Sequence, residues 1–261
     1  MLRSLYTAAT GMIAQQTQID TTSHNIANVN TFGYKKNRAE FADLMYQIQT
    51  YAGSSTSTTT KSPTGIEVGL GARTAAITKQ FSQGYFKETG NQMDIVIAGN
   101  GFLQVQLPDG TTAYTRNGAL KRDENGTIVN ADGYPILPEM TIPEDAMAIN
   151  IGVDGTVTVL QPGNQTMQIG QIELATFINP SGLHALGDNN FVETDASGAA
   201  IVGIGGQNGF GQIKQAFIEM SNVQLVEEMT DLITGQRAYE ANSKAITTSD
   251  EMLAIINGLK K

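Results

Sequence analysis

The chain has 261 residues, a formal net charge of −9, 40% hydrophobic residues, and neither Cys nor Trp. That length makes one large or two modest domains, and the acidity argues against nucleic acid, whose phosphates need a basic surface. Without Cys there is no disulfide, thiolate nucleophile or Cys-based metal site, and no stretch approaches the roughly 18 apolar residues of a membrane span.

From the N-terminus, Leu2, Leu5, Ala9, Met12, Gln16, Ile19, Ser23 and Ile26 fall alternately three and four apart. This is the period by which an α-helix keeps one stripe toward a partner. It predicts a helix from Leu2 to about Asn28, roughly 40 Å long. Thr7, Thr10, Gly11 and Gln15-Gln16 dilute the early apolar run, so no cleavable signal is expected. Asn28-Val-Asn30 and Thr31-Phe-Gly33 should stop the helix, since Asn and Gly tolerate a left-handed backbone.

Lys35, Lys36 and Arg38 follow, a basic cluster expected to pair with Glu40, Asp43 or a neighbouring subunit. Beyond Phe41, Leu44, Met45 and Ile48, the tract Gly53–Gly65 is almost wholly Ser and Thr around Pro63. It cannot bury enough apolar area to offset its ordering entropy, so it reads as a linker or an excursion that only a neighbour orders. Gly53 and Gly65 should be sensitive to any β-carbon.

From Ile66 to about Glu219 the chain reads as strand. Met93–Ala98, Phe102–Leu107, Thr127–Val129, Thr156–Val159 and Ile172–Ile178 are β-rich or alternating. Between them stand Pro108-Asp-Gly110, Glu124-Asn-Gly126, Ala131-Asp-Gly133 and Val153-Asp-Gly155, whose positive φ angles suit tight hairpins. Antiparallel meanders are therefore expected, not βαβ units. Gly203–Gly211 reads as a second flexible stretch, and Gln212–Glu219 as a last strand. Ser221-Asn222 offers caps for a C-terminal helix. There Leu225, Met229, Leu232, Gln236, Tyr239, Ser243, Ile246, Asp250 and Leu253 repeat the seven-residue pattern, and Lys260 and Lys261 favour its dipole.

Catalytic chemistry is hard to find. His24 and His184 are the only histidines, and neither accompanies a Gly-x-Ser-x-Gly elbow. Gly203 and Gly205 lack a third glycine at Asn208, and no Gly-x-x-x-x-Gly-Lys occurs. Asp123-Glu-Asn125 opens like a calcium loop, but its twelfth position is Tyr134, so it reads as a hairpin turn. No catalytic, cofactor or metal residue is assigned, and the chain does not read as an enzyme.

The two seams could lie on the β region of the same molecule. However, Gln16, Ser23, Gln236 and Ser243 interrupt them, and Thr7, Thr10, Thr17, Thr21, Thr22, Thr247, Thr248 and Ser249 cover the opposite faces. A helix wrapped on several sides by copies of itself would look like that. The expected subunit-packing residues are Leu2, Leu5, Met12, Ile19, Ile26, Leu225, Met229, Leu232, Tyr239, Ile246 and Leu253. The fold class is α+β: long terminal helices pairing as a coiled-coil-like domain (1–30 and 225–261), a connecting segment (31–70), and an antiparallel β-rich domain (71–224).

The segment Ser23-His-Asn-Ile-Ala-Asn-Val-Asn-Thr-Phe-Gly-Tyr-Lys-Lys36 resembles the N-terminal motif of the bacterial flagellar rod and hook proteins. Residues Ser221–Lys244 resemble their C-terminal motif, and Asp94–Phe102 with Tyr114-Thr-Arg-Asn-Gly118 resemble their central β signatures. The tract from about Tyr46 to Gly65 is similar to the insertion that separates the distal rod type from the hook type. The resemblance implies a structural subunit of the distal rod, a hollow helical homopolymer with its helices on the inner wall that transmits torque to the hook. A proximal rod or hook subunit is the alternative within the family, and a secreted β-rich binding module the alternative outside it. It further implies a basal body reaching from periplasm to outer membrane, and partners in proximal rod proteins, hook protein and the periplasmic and outer-membrane rings. Passage through the flagellar type III export apparatus would use Phe41 and Met45 as an export element; no cofactor is implied.

Overall fold

A computed structural model describes residues 2–54 and 61–258; the side chain of Leu2, residues 55–60 of the Ser/Thr tract, and the charges at Lys260 and Lys261 lie outside the described residues. The chain is α+β as expected, with helix α1 over Leu2–Ala27, helix α2 over Leu225–Gly258, and antiparallel strands between them. It forms two compact units, one of Met1–Ile26, Asn37–Thr78 and Gln224–Lys261, the other of Ala27–Lys36 and Lys79–Val223.

In the first unit α1 and α2 lie antiparallel. The Ser4 and Ser249 hydroxyls are 3.4 Å apart. A β-carbon on Gly11 would stand 2.9 Å from Asn242 Nδ2, and one on Gly235 3.3 Å from Ile19 Cγ1. Asn25 Nδ2 donates to Glu228 Oε2 at 3.1 Å. Contacts at positions 4, 11, 19 and 25 of α1 are thus met at 249, 242, 235 and 228 of α2, the latter one heptad apart, so the pair stays close to heptad register. The facing positions are small or polar: Ala8, Ala14, Thr21, Thr22 and Asn25 are buried on α1, and Glu228, Gly235 and Ser249 on α2. Small residues let the two backbones approach closely.

The remainder of this unit is a β ribbon. Asn37–Asp43 pairs with Ala72–Lys79, and Tyr46–Thr50 pairs antiparallel with Ile66–Gly69. The strand character expected from Ile66 therefore begins earlier, because Tyr46 and Ile48 alternate with Gln47 and Gln49. Past these strands, the Gly53 N–H donates to Ser62 O, and the Ser62 N–H to Ser54 O, each at 2.8 Å. At the ribbon's bend Gly71 adopts φ +118°, where a β-carbon would overlap the Thr10 hydroxyl of α1.

The second unit is built on a seven-stranded sheet. Its neighbours run His184–Gly187, Asn190–Val192, Thr112–Thr115, Phe102–Gln106, Glu173–Thr176 and Ile201–Ile204, with Ile136–Leu137 also paired to Phe102–Gln106. Ala148–Ile151, Thr156–Gln161 and Gln165–Gln171 form a three-stranded sheet. Ile95, Leu103, Val105, Ile128, Ile136, Val157, Ile172, Leu174 and Ile213 make its core. A second cluster packs Phe81, Phe102, Phe177, Phe191 and Tyr114 edge to face.

All four expected turns form, each with the same bonds. At the first, the Gly110 N–H donates to Leu107 O and the Leu107 N–H to Thr111 O, each at 2.9 Å. Only the glycines take positive φ, from +82° to +87° at Gly110, Gly126, Gly133 and Gly155. The turns are therefore type I with a bulge, not the doubly left-handed form. Asp109 and Asp154 each accept from a following Thr N–H and hydroxyl, Thr111 or Thr156.

Four local expectations need correction. Gly203–Gly211 follows one defined path, with the Gly211 N–H donating to Asn100 O at 2.7 Å and Phe210 seated on Gly203. Gln212–Glu219 is two strands broken at Ala216, φ +67°, pairing separately with Ile95–Ala98 and Phe86–Glu88. Of the residues expected to turn the chain after α1, only Gly33 takes positive φ. Ser221 and Asn222 do not cap α2. The first helical bond there runs from the Glu228 N–H to Gln224 O, and the Asn222 side chain instead binds Lys36 N, Gln80 O and Ser82 O.

Candidate assembly surface and a buried charge cluster

Apart from Ile19, which lies against Gly235 of α2, the larger apolar side chains of the helix pair remain partly or largely exposed. Leu5, Met12, Ile19, Ile26, Leu232, Ile246 and Leu253 are half-buried, whereas Leu225, Met229 and Tyr239 are exposed. Sequence reasoning missed Tyr6, Ile13, Val226, Ile233, Met252, Ile255 and Ile256, all exposed. The signal existed: Tyr6 and Ile13 are one heptad apart, as are Val226 and Ile233. Apolar side chains left exposed in this number along both helices mark a candidate interaction site.

The other singled-out residues are spread over the ribbon. Phe41 lies on Asn37–Asp43, and Met45, 84% exposed, follows that strand. Pro63 is exposed. A β-carbon on Gly65 would meet Thr50 O at 2.7 Å, while Gly53, at φ +82°, has open space around it. Both histidines are exposed, His24 on α1 and His184 on a strand, not in a loop. Among the described residues no group of three metal-ligating side chains occurs, and no helix is long and apolar enough to cross a membrane.

The basic cluster divides. Arg38 pairs with Glu40 at 2.7 Å on the surface, as expected. Lys35 instead enters the second unit and is fully buried, its ammonium 2.6 Å from Glu219 Oε1 and 2.8 Å from Ser82 O. Arg116, also buried, reaches Glu219 Oε2 at 3.5 Å and lays its guanidinium 5.3 Å from the Phe102 ring centre. Burial pushes the Lys35 pKa down and the neighbouring Arg116 adds to this, with Glu219 opposing. Burial also lowers Arg116, again against Glu219. The buried Lys35–Glu219–Arg116 cluster sits inside the sheet unit and was invisible in sequence, its members lying far apart along the chain.

Three family models match in chain order: the flagella basal body rod protein over residues 5–35, the flagellar hook protein FlgE/F/G D1 domain over 96–159, and the flagellar basal body rod FlgEFG protein C-terminal over 214–259. The first and third carry α1 and α2, and the second lies in the sheet unit. The chain is 48% identical to the flagellar basal-body rod protein FlgG of Borreliella burgdorferi, over 100% of both chains. It is 46% identical to FlgG of Buchnera aphidicola, over 99% of this chain and 100% of that one. It is also 46% identical to FlgG of Agrobacterium fabrum, over 98% of each. With the helices and sheet placed as the family models match them, and identity sustained from end to end, the chain belongs to the flagellar basal-body rod protein family.

Proposed function

We propose that this chain is the structural subunit of the distal rod, polymerising into a rigid hollow shaft that passes motor torque to the hook. Its task is mechanical, not catalytic. The observation that carries this reading is the orientation of the helix pair. Apart from Ile19, small and polar residues face inward between α1 and α2, while Tyr6, Ile13, Leu225, Met229, Ile233 and Tyr239 are exposed. Each large apolar side chain withdrawn from water contributes about 1.5–3 kcal/mol, so copies stacked through these faces gain what one chain leaves unburied.

In this arrangement residues 1–30 and 225–261 line the channel, with Leu2, Leu5, Met12, Ile19, Ile26, Leu232, Ile246 and Leu253 also set between copies. Residues 31–70 connect, and 71–224 face outward toward the periplasmic and outer-membrane rings. The ribbon tip around Gly53, Pro63 and Gly65 orders against neighbouring subunits and blocks the sliding that a bendable tube requires. Proximal rod subunits lie below and hook subunits above. Phe41 and Met45 serve recognition by the type III export apparatus, which needs no cleaved signal.

Met229→Asp tests the reading. The residue is 51% exposed, so the free chain should fold as before, yet cells carrying it should lack distal rods by electron microscopy of basal bodies. Normal rods in that variant would contradict the proposal.

A further inference from the structure

Two apolar stripes on the helix unit share one spacing. Among the described residues of α1, Tyr6 and Ile13 are the exposed large apolar side chains, 56% and 63% exposed and one heptad apart. Among those of α2, Val226 and Ile233 are the only exposed large apolar pair at that spacing, 78% and 55% exposed. A heptad carries a helix through almost two whole turns, so each pair lies on one side of its own helix.

Within one chain these stripes cannot meet. The contacts of 4 with 249, 11 with 242 and 25 with 228 set the level of α1 against α2. On that scale Tyr6 stands level with Thr247 and Ile13 with Glu240, while Ile233 stands level with Asp20 and Val226 with Ala27. The stripes therefore lie toward opposite ends of the pair. Two heptads separate their levels, about 21 Å at 1.5 Å per residue.

We propose that the Tyr6–Ile13 stripe of one copy docks on the Val226–Ile233 stripe of a second copy displaced along the helix axis by two heptads, about 21 Å. This rests on the polymer reading above. Copies in a helical polymer point the same way, so α1 of one runs antiparallel to α2 of its neighbour. A stripe meeting its own counterpart would need a two-fold axis, which closes an assembly instead of extending it.

Register decides the displacement. Without any, Ile13 faces Glu240 and Ile233 faces Asp20 of the neighbouring copy, both exposed charges. One heptad pairs Ile13 with Ile233 but sets Tyr6 on Glu240 and Val226 on Asp20. Three heptads pair Tyr6 with Val226 and carry Ile13 past the start of α2 at Leu225. Only two heptads match both, Tyr6 with Ile233 and Ile13 with Val226. The contact joins two different surfaces, so each copy still offers one of them to the next.

The chain has no Cys, so introduced thiols report the contact directly. Rods are grown from two full-length chains, one carrying Ile13→Cys and the other Val226→Cys, so that any disulfide joins two copies. Disulfides need Cα atoms within about 7 Å. Oxidation of isolated basal bodies should give a cross-linked dimer on a non-reducing gel. Ile13→Cys mixed with Glu240→Cys reports no displacement, and Ile13→Cys mixed with Ile233→Cys reports one heptad. Each should yield at least tenfold less dimer. No dimer in the first mixture, or equal dimer in either of the others, would overturn the proposal. A charge swap decides the matter if the thiol variants do not assemble. Ile13→Lys alone and Val226→Glu alone should each abolish rods, and the two in one chain should restore them, whereas Ile13→Lys with Ile233→Glu should not. No restoration would also overturn it. Rods cross-linked in another register contradict the displacement alone, whereas a wild-type chain that builds no rods contradicts the polymer reading itself.

Discussion

Lys35 and Glu219, 184 positions apart in sequence, meet at 2.6 Å with both side chains sealed from solvent. The pair ties the segment following α1 to the last strand of the sheet unit. Glu219→Gln keeps the acceptor for Gly84 but leaves Lys35 and Arg116 without an anion. Removing one partner of a buried pair typically costs about 3–5 kcal/mol, so the urea midpoint should fall sharply. Lys35→Met should cost less, because Glu219 then faces Arg116 alone.

The same cluster sets a pH dependence. Burial depresses the Lys35 pKa below its ordinary 10.5, so in the intervening window the unfolded chain binds the extra proton. Stability contributed by this group therefore rises as pH climbs from the depressed pKa toward 10.5, and is lowest below that window. Denaturant titrations at successive alkaline pH values should show the rise in the wild type and its loss in Lys35→Met.

The helix register can be locked chemically. Ser4→Cys with Ser249→Cys places two thiols where hydroxyls now lie 3.4 Å apart, so mild oxidation should join them. Adding Gly235→Leu overfills the contact with Ile19. Such overpacking costs typically about 1–3 kcal/mol, and the cross-link should form more slowly, as read on a non-reducing gel.

The two ribbon glycines should respond differently. Gly53→Asn retains a residue that tolerates φ +82° in open space, so rods should keep their length. Gly65→Asn drives a β-carbon to 2.7 Å from Thr50 O and should distort the ribbon. Rod length and shape by electron microscopy would separate the two.

Much of the architecture was legible. The limits of α1 and α2 follow from the three-and-four spacing, and the four hairpins from Asp-Gly and Asn-Gly. What misled was weighting the helices by their large apolar letters. The face joining α1 to α2 is written in Gly11, Asn25, Glu228, Gly235, Asn242 and Ser249, residues that hydropathy ignores although they share the period. Small size at Gly11, Gly235 and Ser249 and hydrogen bonding at Asn25 and Glu228, not oil-like character, make most of the contact. The Lys35–Glu219–Arg116 cluster could not be read, because long-range pairing of charges leaves no local pattern. Nor was it legible that the segments either side of the Ser/Thr tract, Tyr46–Thr50 and Ile66–Gly69, pair with each other as strands.

The outer faces of the helix pair offer the most direct test. Hydroxyl-radical oxidation of Tyr6, Met229, Tyr239 and Met252, read by mass spectrometry, should be fast in dilute monomer, where each is exposed. In assembled rods it should fall at least tenfold. Equal oxidation in monomer and rod would mean that neighbouring copies do not cover these side chains, and the account of the shaft would be wrong.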